Sequence, residues 1–122
     1  IFFVPPDGND ALLMKAFDVF VLPSIKEGLP YTLLEAGAAS IPAVVTDAGG
    51  MGEVLEPFPM SVVPKRTPEA LAVKIKEFLE NPSLLEAARE AIGKSVRERY
   101  GLDRMIQATE AIYRLITQEI TF

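Results

Sequence analysis

Three short apolar runs, at residues 18–22, 42–46 and 60–63, constrain the fold of this chain more than any other feature of its sequence. The runs are continuously apolar and rich in β-branched residues, a pattern typical of strands buried on both faces of a parallel sheet. Helical patterns lie between or after these runs, at about residues 10–17, 30–39, 68–80, 82–100 and from 103 onward. Strands that alternate with helices predict an α/β fold, here with a helical C-terminus.

The composition excludes several kinds of site. The 122 residues fit one domain with one core, and 49% of them are hydrophobic. The chain has no Cys and no His, which excludes disulfides, thiolate nucleophiles, histidine bases and the commoner zinc sites. Its net charge is −5 and it has no basic stripe with interleaved aromatics, so we expect no nucleic-acid partner. No run approaches the roughly 20 apolar residues of a membrane span.

The loop that follows residues 18–22 precedes a helix that Pro30 opens. It therefore lies at the carboxyl end of a strand, where open α/β sheets bind ligands. We expect the first-turn amides of Tyr31, Thr32 and Leu33 to lack intrahelical acceptors, while Pro30 has no N–H to lose. These amides predict a phosphate site at the start of the helix.

Two residues of that loop suit a sugar bound beside the phosphate. Gly28 has no Cβ and tolerates positive φ, so the backbone there can approach a ligand closely. A carboxylate at Glu27 would repel phosphate, and we interpret it as an acceptor for sugar hydroxyls.

Glu35 lies in the second turn of the same helix, one turn after Tyr31. We expect it to face the ligand while Leu34, Ala38 and Ile41 turn toward the sheet. Its two carboxylate oxygens suit vicinal hydroxyls such as those of a ribose. The combined site would then bind a sugar, a phosphate and a ribose in that order.

Five segments together carry a resemblance to a known family. They are Pro-Ser at 23–24, Glu-Gly-Leu-Pro at 27–30, Glu-Ala-Gly-Ala at 35–38, Pro-Ala-Val at 42–44 and Gly-Gly-Met-Gly-Glu at 49–53. They resemble the C-terminal nucleotide-sugar-binding domain of GT-B glycosyltransferases, specifically the retaining group-1, family-4-like class. Residues 18–55 fit closely, and the whole chain fits the second part of that domain.

The resemblance implies a Rossmann-like parallel sheet with flanking helices. It implies that residues 1–122 are part of a GT-B donor-binding domain, without the N-terminal acceptor domain. The implied activity is transfer of a hexosyl group from a nucleotide-diphosphate sugar such as a UDP-, GDP- or ADP-hexose, with no cofactor and no metal. The implied site comprises Glu27 as the catalytic residue and, for donor binding, Glu27, Gly28, Leu29, Pro30, Thr32, Leu33 and Glu35, with Gly49 and Gly50 as further candidates.

Several features depart from the family pattern. Ser40 stands where the family usually has Gly, and Ala43 where it usually has Val. The family sheet has strand order 3-2-1-4-5-6, so residues 1–4 resemble its third strand, and strands one and two are missing. We therefore expect residues 18–22 to have an unpaired edge, an association hazard. Re-pairing of residues 1–4, a second chain in a dimer, or the rest of a parent protein could cover it. A basic pair that contacts the donor phosphates in this class would precede residue 1, so we expect the chain alone to bind weakly and to be inactive.

Other interpretations stay open at this point. A phosphate contact and a solvated basic turn are both open for Lys65 and Arg66, and the role of Lys26 beside Glu27 is equally open. The acidic side chain of Glu53 suits a helix start. A second class of enzyme is an inverting glycoside hydrolase that uses Glu27 and Glu35 as its acid and base, which requires carboxyls roughly 6.5–9.5 Å apart. A catalytically inactive binding module, or an excised fragment of such an enzyme, is the non-enzyme alternative. The resemblance implies a cytoplasmic protein, and it leaves open membrane association through the N-terminal domain.

Overall fold

The computed structural model describes residues 1–3 and 10–119, and it contains a three-stranded parallel sheet in the order β1-β2-β3. The strands are β1 (Phe20–Leu22), β2 (Ala43–Thr46) and β3 (Val62–Val63). The helices are α1 (Asp10–Leu13), α2 (Tyr31–Ala38), α3 (Met51–Val54), α4 (Pro68–Glu80), α5 (Pro82–Arg99) and α6 (Leu102–Glu119). The α/β fold with a parallel sheet and a helical C-terminus is confirmed.

The central strand β2 forms the middle of the core. All four of its residues are buried, as the continuous apolar run predicts. Val44 pairs with Val21 of β1, and Val45 pairs with Val62 of β3. Leu33 of α2, Phe78 of α4 and Ile92 of α5 pack into the same buried cluster, which also contains Ala43, Met51, Val54, Leu55, Ala88 and Val96.

The two outer strands are shorter than predicted. β1 begins at Phe20, and its three residues are half-buried because β1 has one strand neighbour in the described sheet. β3 begins at Val62, because Pro59 opens a 3-10 turn that takes up residues 59–61. The unpaired edge expected on residues 18–22 is present on β1, which lies at the edge of the described sheet.

The expected strand at residues 1–4 is wrong for its first three positions. Ile1, Phe2 and Phe3 form no strand and are exposed, and residue 4 lies outside the described part of the chain. An extended apolar run forms a strand only where a neighbouring strand supplies hydrogen bonds. β1 pairs only with β2 in the described sheet, so it supplies none to these residues.

The buried face of helix α2 differs in part from the one expected to turn toward the sheet. Leu33, Ala36 and Gly37 are its buried residues, whereas Leu34 is half-buried and Ala38 is exposed. Helices α2 and α5 approach so closely that a Cβ on Gly37 would lie 2.4 Å from Cγ2 of Val96 in α5. The expectation is therefore wrong for Ala38, whereas Leu34 packs against the core cluster and Ile41 is buried, as expected.

Ser40 ends α2 in a left-handed conformation, with φ of 57°. Its N–H donates to the Gly37 carbonyl and the N–H of Ile41 to the Ala36 carbonyl, a helix end that usually takes Gly. Arg97 of α5 donates to the Ser40 hydroxyl at 2.8 Å. The Ser40 side chain thus ties the end of α2 to α5.

Other helix ends agree only in part with expectation. The Thr-Pro pair at 67–68 predicts a cap followed by the first helical residue. Thr67 is indeed the N-cap of α4 and Pro68 its first residue, but the Thr67 side chain makes no capping bond. A glycine just after a helical pattern, here Gly101, predicts a left-handed helix end. Gly101 does not adopt that conformation, and α5 ends at Arg99 with Tyr100 as its C-cap. In the described part of the chain, no helix is both long enough and apolar enough to cross a membrane.

Candidate functional site

The loop between β1 and α2 holds Glu27 in place through a neighbouring hydroxyl. Ser24 donates a hydrogen bond from Oγ to Oε1 of Glu27 at 2.7 Å, and both residues are half-buried. Glu27 lies at the carboxyl end of β1, where the sequence places it. The bond occupies one of the acceptor positions of a carboxylate that has about four. The other carboxylate oxygen, Oε2, stays available for a ligand.

The loop that follows β2 packs against the backbone of the Glu27 loop. Gly50 donates its N–H to the Gly28 carbonyl at 2.7 Å. Gly49 has φ of 56°, and a Cβ there would lie 2.0 Å from the Glu27 carbonyl oxygen and 2.5 Å from that of Gly28. Only glycine fits this position. Gly49 and Gly50 are therefore turn residues that fix the Glu27 loop, and their contact with a ligand stays a prediction.

Thr46 is a site-supporting residue that sequence reasoning missed. It ends β2, its exposed fraction is 5%, and its hydroxyl donates to the Ser24 carbonyl. The Leu22 carbonyl lies 3.4 Å from the same hydroxyl oxygen. The signal in the sequence was a single hydroxyl at the end of an otherwise apolar run, just before the loop at residues 47–50.

The start of α2 offers fewer free amides than predicted. Leu33 donates its N–H to the Pro30 carbonyl at 3.1 Å, and Leu33 is fully buried, so the expectation that its amide lacks an acceptor is wrong. No backbone acceptor within the described ranges takes the amides of Tyr31 and Thr32, and both residues are exposed. The tight first turn thus leaves Tyr31 and Thr32 as the accessible donors.

Gly28 and Leu29 both face open space. A Cβ on Gly28 would meet no atom within 4 Å, so no contact inside the described structure requires glycine there. Leu29 is 44% exposed and lines a cavity of about 370 Å³ with Tyr31, Tyr100 and Met105. The loop therefore presents a bare backbone and an apolar side chain to solvent, next to the start of α2.

Glu35 is exposed on α2, away from the core, as predicted. Together with Tyr31 it borders a cavity of about 280 Å³ whose far wall includes Tyr100 and Met105. Among the described residues, no lysine or arginine forms an ion pair with Glu35. Within the described residues, Glu35 therefore does not form the ion pair with a lysine that is common for glutamates on helix surfaces.

The basic residues near the sheet edge are exposed, in agreement with a solvated turn. Lys26 and Lys65 lie at the surface. Arg66 has φ of 59° and borders a crevice of about 180 Å³ with Ile25 and Thr46. Within residues 1–3 and 10–119, no group of three or more acidic side chains is arranged to hold a metal ion.

Comparison with known proteins gives a consistent result. A family model described as "Glycosyl transferases group 1" matches residues 1–99. An uncharacterized glycosyltransferase of Methanocaldococcus jannaschii is 32% identical over 105 residues, which cover 84% of this chain and 27% of that protein. The lipopolysaccharide core biosynthesis mannosyltransferase LpcC of Rhizobium leguminosarum is 34% identical over 100 residues, which cover 81% of this chain and 28% of that protein.

A solved structure resembles this fold. The sucrose-phosphate synthase of Thermosynechococcus elongatus superposes with a TM-score of 0.80 at 22% identity, over 88% of this chain and 27% of that one. At this identity the likeness shows the fold, and it confirms the Rossmann-like arrangement of GT-B type. This chain spans little more than a quarter of the length of each of these proteins.

Proposed function

We propose that this chain, which belongs to the family of group 1 glycosyl transferases, binds a nucleotide-diphosphate sugar and so serves the transfer of its hexosyl group to an acceptor. One observation carries the proposal. The loop with Glu27 is fixed by Ser24 and Gly50 directly before the start of α2, at the carboxyl edge of a parallel sheet. Open α/β sheets bind their ligands at this edge.

Each part of such a donor has a matching group. Glu27 and the backbone of 28–30 bind the hexose, with Glu27 as the catalytic residue. The amide of Thr32, joined by that of Tyr31, binds the diphosphate, because free first-turn amides carry the positive end of the helix dipole. Leu33 contributes its buried side chain to the position of this turn. Glu35, exposed one turn later, accepts hydrogen bonds from the ribose hydroxyls.

The chemical role of this arrangement is to stabilise the leaving group. As the glycosidic bond to the diphosphate breaks, negative charge develops on the departing phosphate oxygens. Donors that already point at that position stabilise the charge without reorganisation. We propose retention of configuration and no metal requirement, in line with the class that the five sequence segments resemble. The name of the mannosyltransferase LpcC supports a hexosyl group as the transferred unit.

The proposed partners are a UDP-, GDP- or ADP-hexose and an acceptor-binding N-terminal domain of the kind that GT-B enzymes have. Pairing of two chains through the edge of β1 is a further proposal, because that edge has no strand neighbour in the described sheet. We propose a cytoplasmic location, with any membrane association supplied by the acceptor-binding domain.

Calorimetric titration tests the proposal. The chain is titrated with UDP, GDP, ADP and their sugar conjugates in metal-free buffer, beside Glu35→Ala and the control Glu90→Ala, which alters an exposed glutamate of α5. We expect saturable binding of one nucleotide series. Glu35→Ala should weaken it by about 1 kcal/mol or more, roughly fivefold, as for hydrogen bonds to a charged group. Glu90→Ala should leave it unchanged.

Two results would count against the proposal. Binding of none of the nucleotides would contradict a donor site within this chain. Equal loss of affinity in Glu35→Ala and Glu90→Ala would contradict the ribose role of Glu35, since the effect would then follow from charge alone.

A further inference from the structure

Two hydrogen bonds that meet at Ser24, one at its backbone carbonyl and one at its hydroxyl, link β2 to the carboxylate of Glu27. The Thr46 hydroxyl donates to the Ser24 carbonyl, and the Ser24 hydroxyl donates to Oε1 of Glu27 at 2.7 Å. Thr46 is buried, and Ser24 and Glu27 are half-buried. Through Ser24, these two bonds connect a buried residue of the sheet to the carboxylate at its edge.

From this geometry we infer that Ser24 and Thr46 are positioning residues that hold the Glu27 carboxylate toward the hexose of the donor. The inference rests on the proposed function, because Glu27 faces a sugar only if the chain binds one. Neither hydroxyl needs to touch the donor. Their role is to fix the side chain that does.

The bond from Ser24 restricts a side chain that would otherwise be mobile. A free glutamate loses up to about 2 kcal/mol of rotamer entropy when it is ordered, and a partner that orders it before binding removes that cost from the binding step. The bond uses Oε1, which leaves Oε2 and the remaining acceptor positions of Glu27 for sugar hydroxyls. Ser24 thus orients the carboxylate without occupying it.

Thr46 fixes Ser24 in turn. A hydroxyl has one hydrogen to donate, and the shorter contact of Thr46 is with the Ser24 carbonyl, the Leu22 carbonyl being at 3.4 Å. Because Thr46 is 5% exposed, water would not readily replace the lost donor if its hydroxyl were removed. The loop after β1 is therefore attached to the central strand at the residue that orients Glu27.

The loop has a second, independent attachment, which holds its backbone, whereas the Ser24 hydroxyl holds the Glu27 side chain. Gly50 donates to the Gly28 carbonyl, and Gly49 packs on the carbonyls of Glu27 and Gly28. These contacts hold the backbone whether or not Ser24 has a hydroxyl. Removing the Ser24 hydroxyl should therefore release the carboxylate while the loop backbone keeps its path.

The test compares two ligands that differ only in the sugar. Binding of UDP and UDP-glucose, or the GDP–GDP-mannose or ADP–ADP-glucose pair if the chain prefers it, is measured by NMR titration of the full chain. The ratio of the association constant of the nucleotide sugar to that of the nucleoside diphosphate reports the contribution of the hexose. Ser24→Ala should lower this ratio about fivefold to tenfold and leave binding of the nucleoside diphosphate unchanged. Ser24→Thr, which keeps a hydroxyl, should restore it.

Thr46 is tested with a matched pair and a control. Thr46→Val removes the hydroxyl at nearly constant shape and should lower the same ratio, whereas Thr46→Ser should preserve it. Thr67 also donates from its hydroxyl to a loop carbonyl, that of Pro64, after β3. Thr67→Val is therefore the control, and it should leave the ratio unchanged.

Each outcome of these titrations either supports or refutes the inference. An unchanged ratio in Ser24→Ala overturns the inference, and so does a parallel loss of affinity for both ligands, which would indicate a merely structural role. If the unsubstituted chain binds neither ligand, the proposed function fails and the hexose role of Glu27 fails with it. Side-chain NMR relaxation of Glu27 then tests the remaining part of the inference, that Ser24 fixes the Glu27 side chain. Increased mobility of the Glu27 side chain in Ser24→Ala, with an unchanged Gly50 amide, would support it, and unchanged mobility would refute it.

Discussion

Helices α5 and α6 are equally long, at 18 residues each, and both carry an apolar stripe, yet they differ in burial. α5 buries Ala88, Ile92, Gly93, Ser95 and Val96 against the rest of the domain. Every residue of α6 from 102 to 117 is exposed. The comparison shows that helical periodicity identifies an apolar face but does not say whether this chain covers it.

Hydrogen exchange offers the largest contrast between the two helices. Amides in the middle of α5, such as those of Ile92 and Val96, should exchange through global unfolding. Those in the middle of α6, such as Ile112, should exchange through local opening with a free energy several kcal/mol smaller. Native-state exchange followed by NMR at two protein concentrations measures both. Equal protection of α6, or protection that rises with concentration, would show that its apolar face is covered in solution.

Substitution of one isoleucine in each helix should change the free energy of unfolding by different amounts. Ile92 is 1% exposed and Ile112 is 59% exposed. Ile92→Ala should lower the free energy of unfolding by about 2–5 kcal/mol, because it leaves a cavity in the core. Ile112→Ala should change the free energy of unfolding by no more than about 0.5 kcal/mol. Urea denaturation gives both values, and similar losses in the two variants would refute the comparison.

The contact of α5 with α2 depends on a glycine. Because a Cβ on Gly37 would lie 2.4 Å from Cγ2 of Val96, Gly37→Ala should lower the free energy of unfolding by about 1–3 kcal/mol. Val96→Ala should relieve part of that cost, so a double-mutant cycle should show coupling. Gly101→Ala, between α5 and α6, would place its Cβ 3.5 Å from the Arg97 carbonyl and should cost far less. Strictly additive effects of the first two substitutions would argue against the close approach.

The smallest expected effect on the free energy of unfolding concerns Tyr100, at the junction of α5 and α6, and occurs at high pH. Burial raises its pKa above the ordinary value; the Arg99 guanidinium opposes this, and the carboxylates of Glu53 and Glu56 add to it. Its hydroxyl has no hydrogen bond of good geometry within the described residues, although Glu53 is close enough to raise the pKa further. The unfolded chain then loses the proton first as the pH rises above about 10.

The sign of this effect is a loss of stability in alkali. The free energy of unfolding should keep the full Tyr100 contribution below about pH 10 and lose it as the pH rises through the raised folded-state pKa. Tyr100→Phe should be nearly neutral at pH 7, since the hydroxyl is unpaired there, and should flatten the fall. Urea denaturation from pH 7 to 11 measures both curves. Identical alkaline slopes would exclude Tyr100 as the cause.

The sequence predicted those parts of the fold that depend on local pattern. The run at 42–46 is fully apolar up to Thr46, and it became the buried central strand. Pro68 predicted the first residue of α4, because proline is favoured at that position. The exposed position of Glu35 also followed from helix geometry.

Other features depended on partners distant in the sequence, which a local pattern does not contain. The buried face of α2 includes Gly37, which packs closely on Val96 of α5, and the expectation for Ala38 was wrong. The bond from Leu33 to Pro30 follows from the tightness of one turn. The support of Ser24 by Thr46 joins residues 22 positions apart, and only the register of β1 on β2 brings them together.

The short length of β1 limits what its open edge can recruit. Three residues that rise about 3.3 Å each give a ladder roughly 10 Å long. Pro23 follows immediately and has no N–H to offer, so the ladder cannot be extended in that direction. An added strand would gain only about two or three backbone hydrogen bonds, too few to sustain fibre-like growth. A lasting pair of chains would therefore have to bury side chains beyond the edge itself.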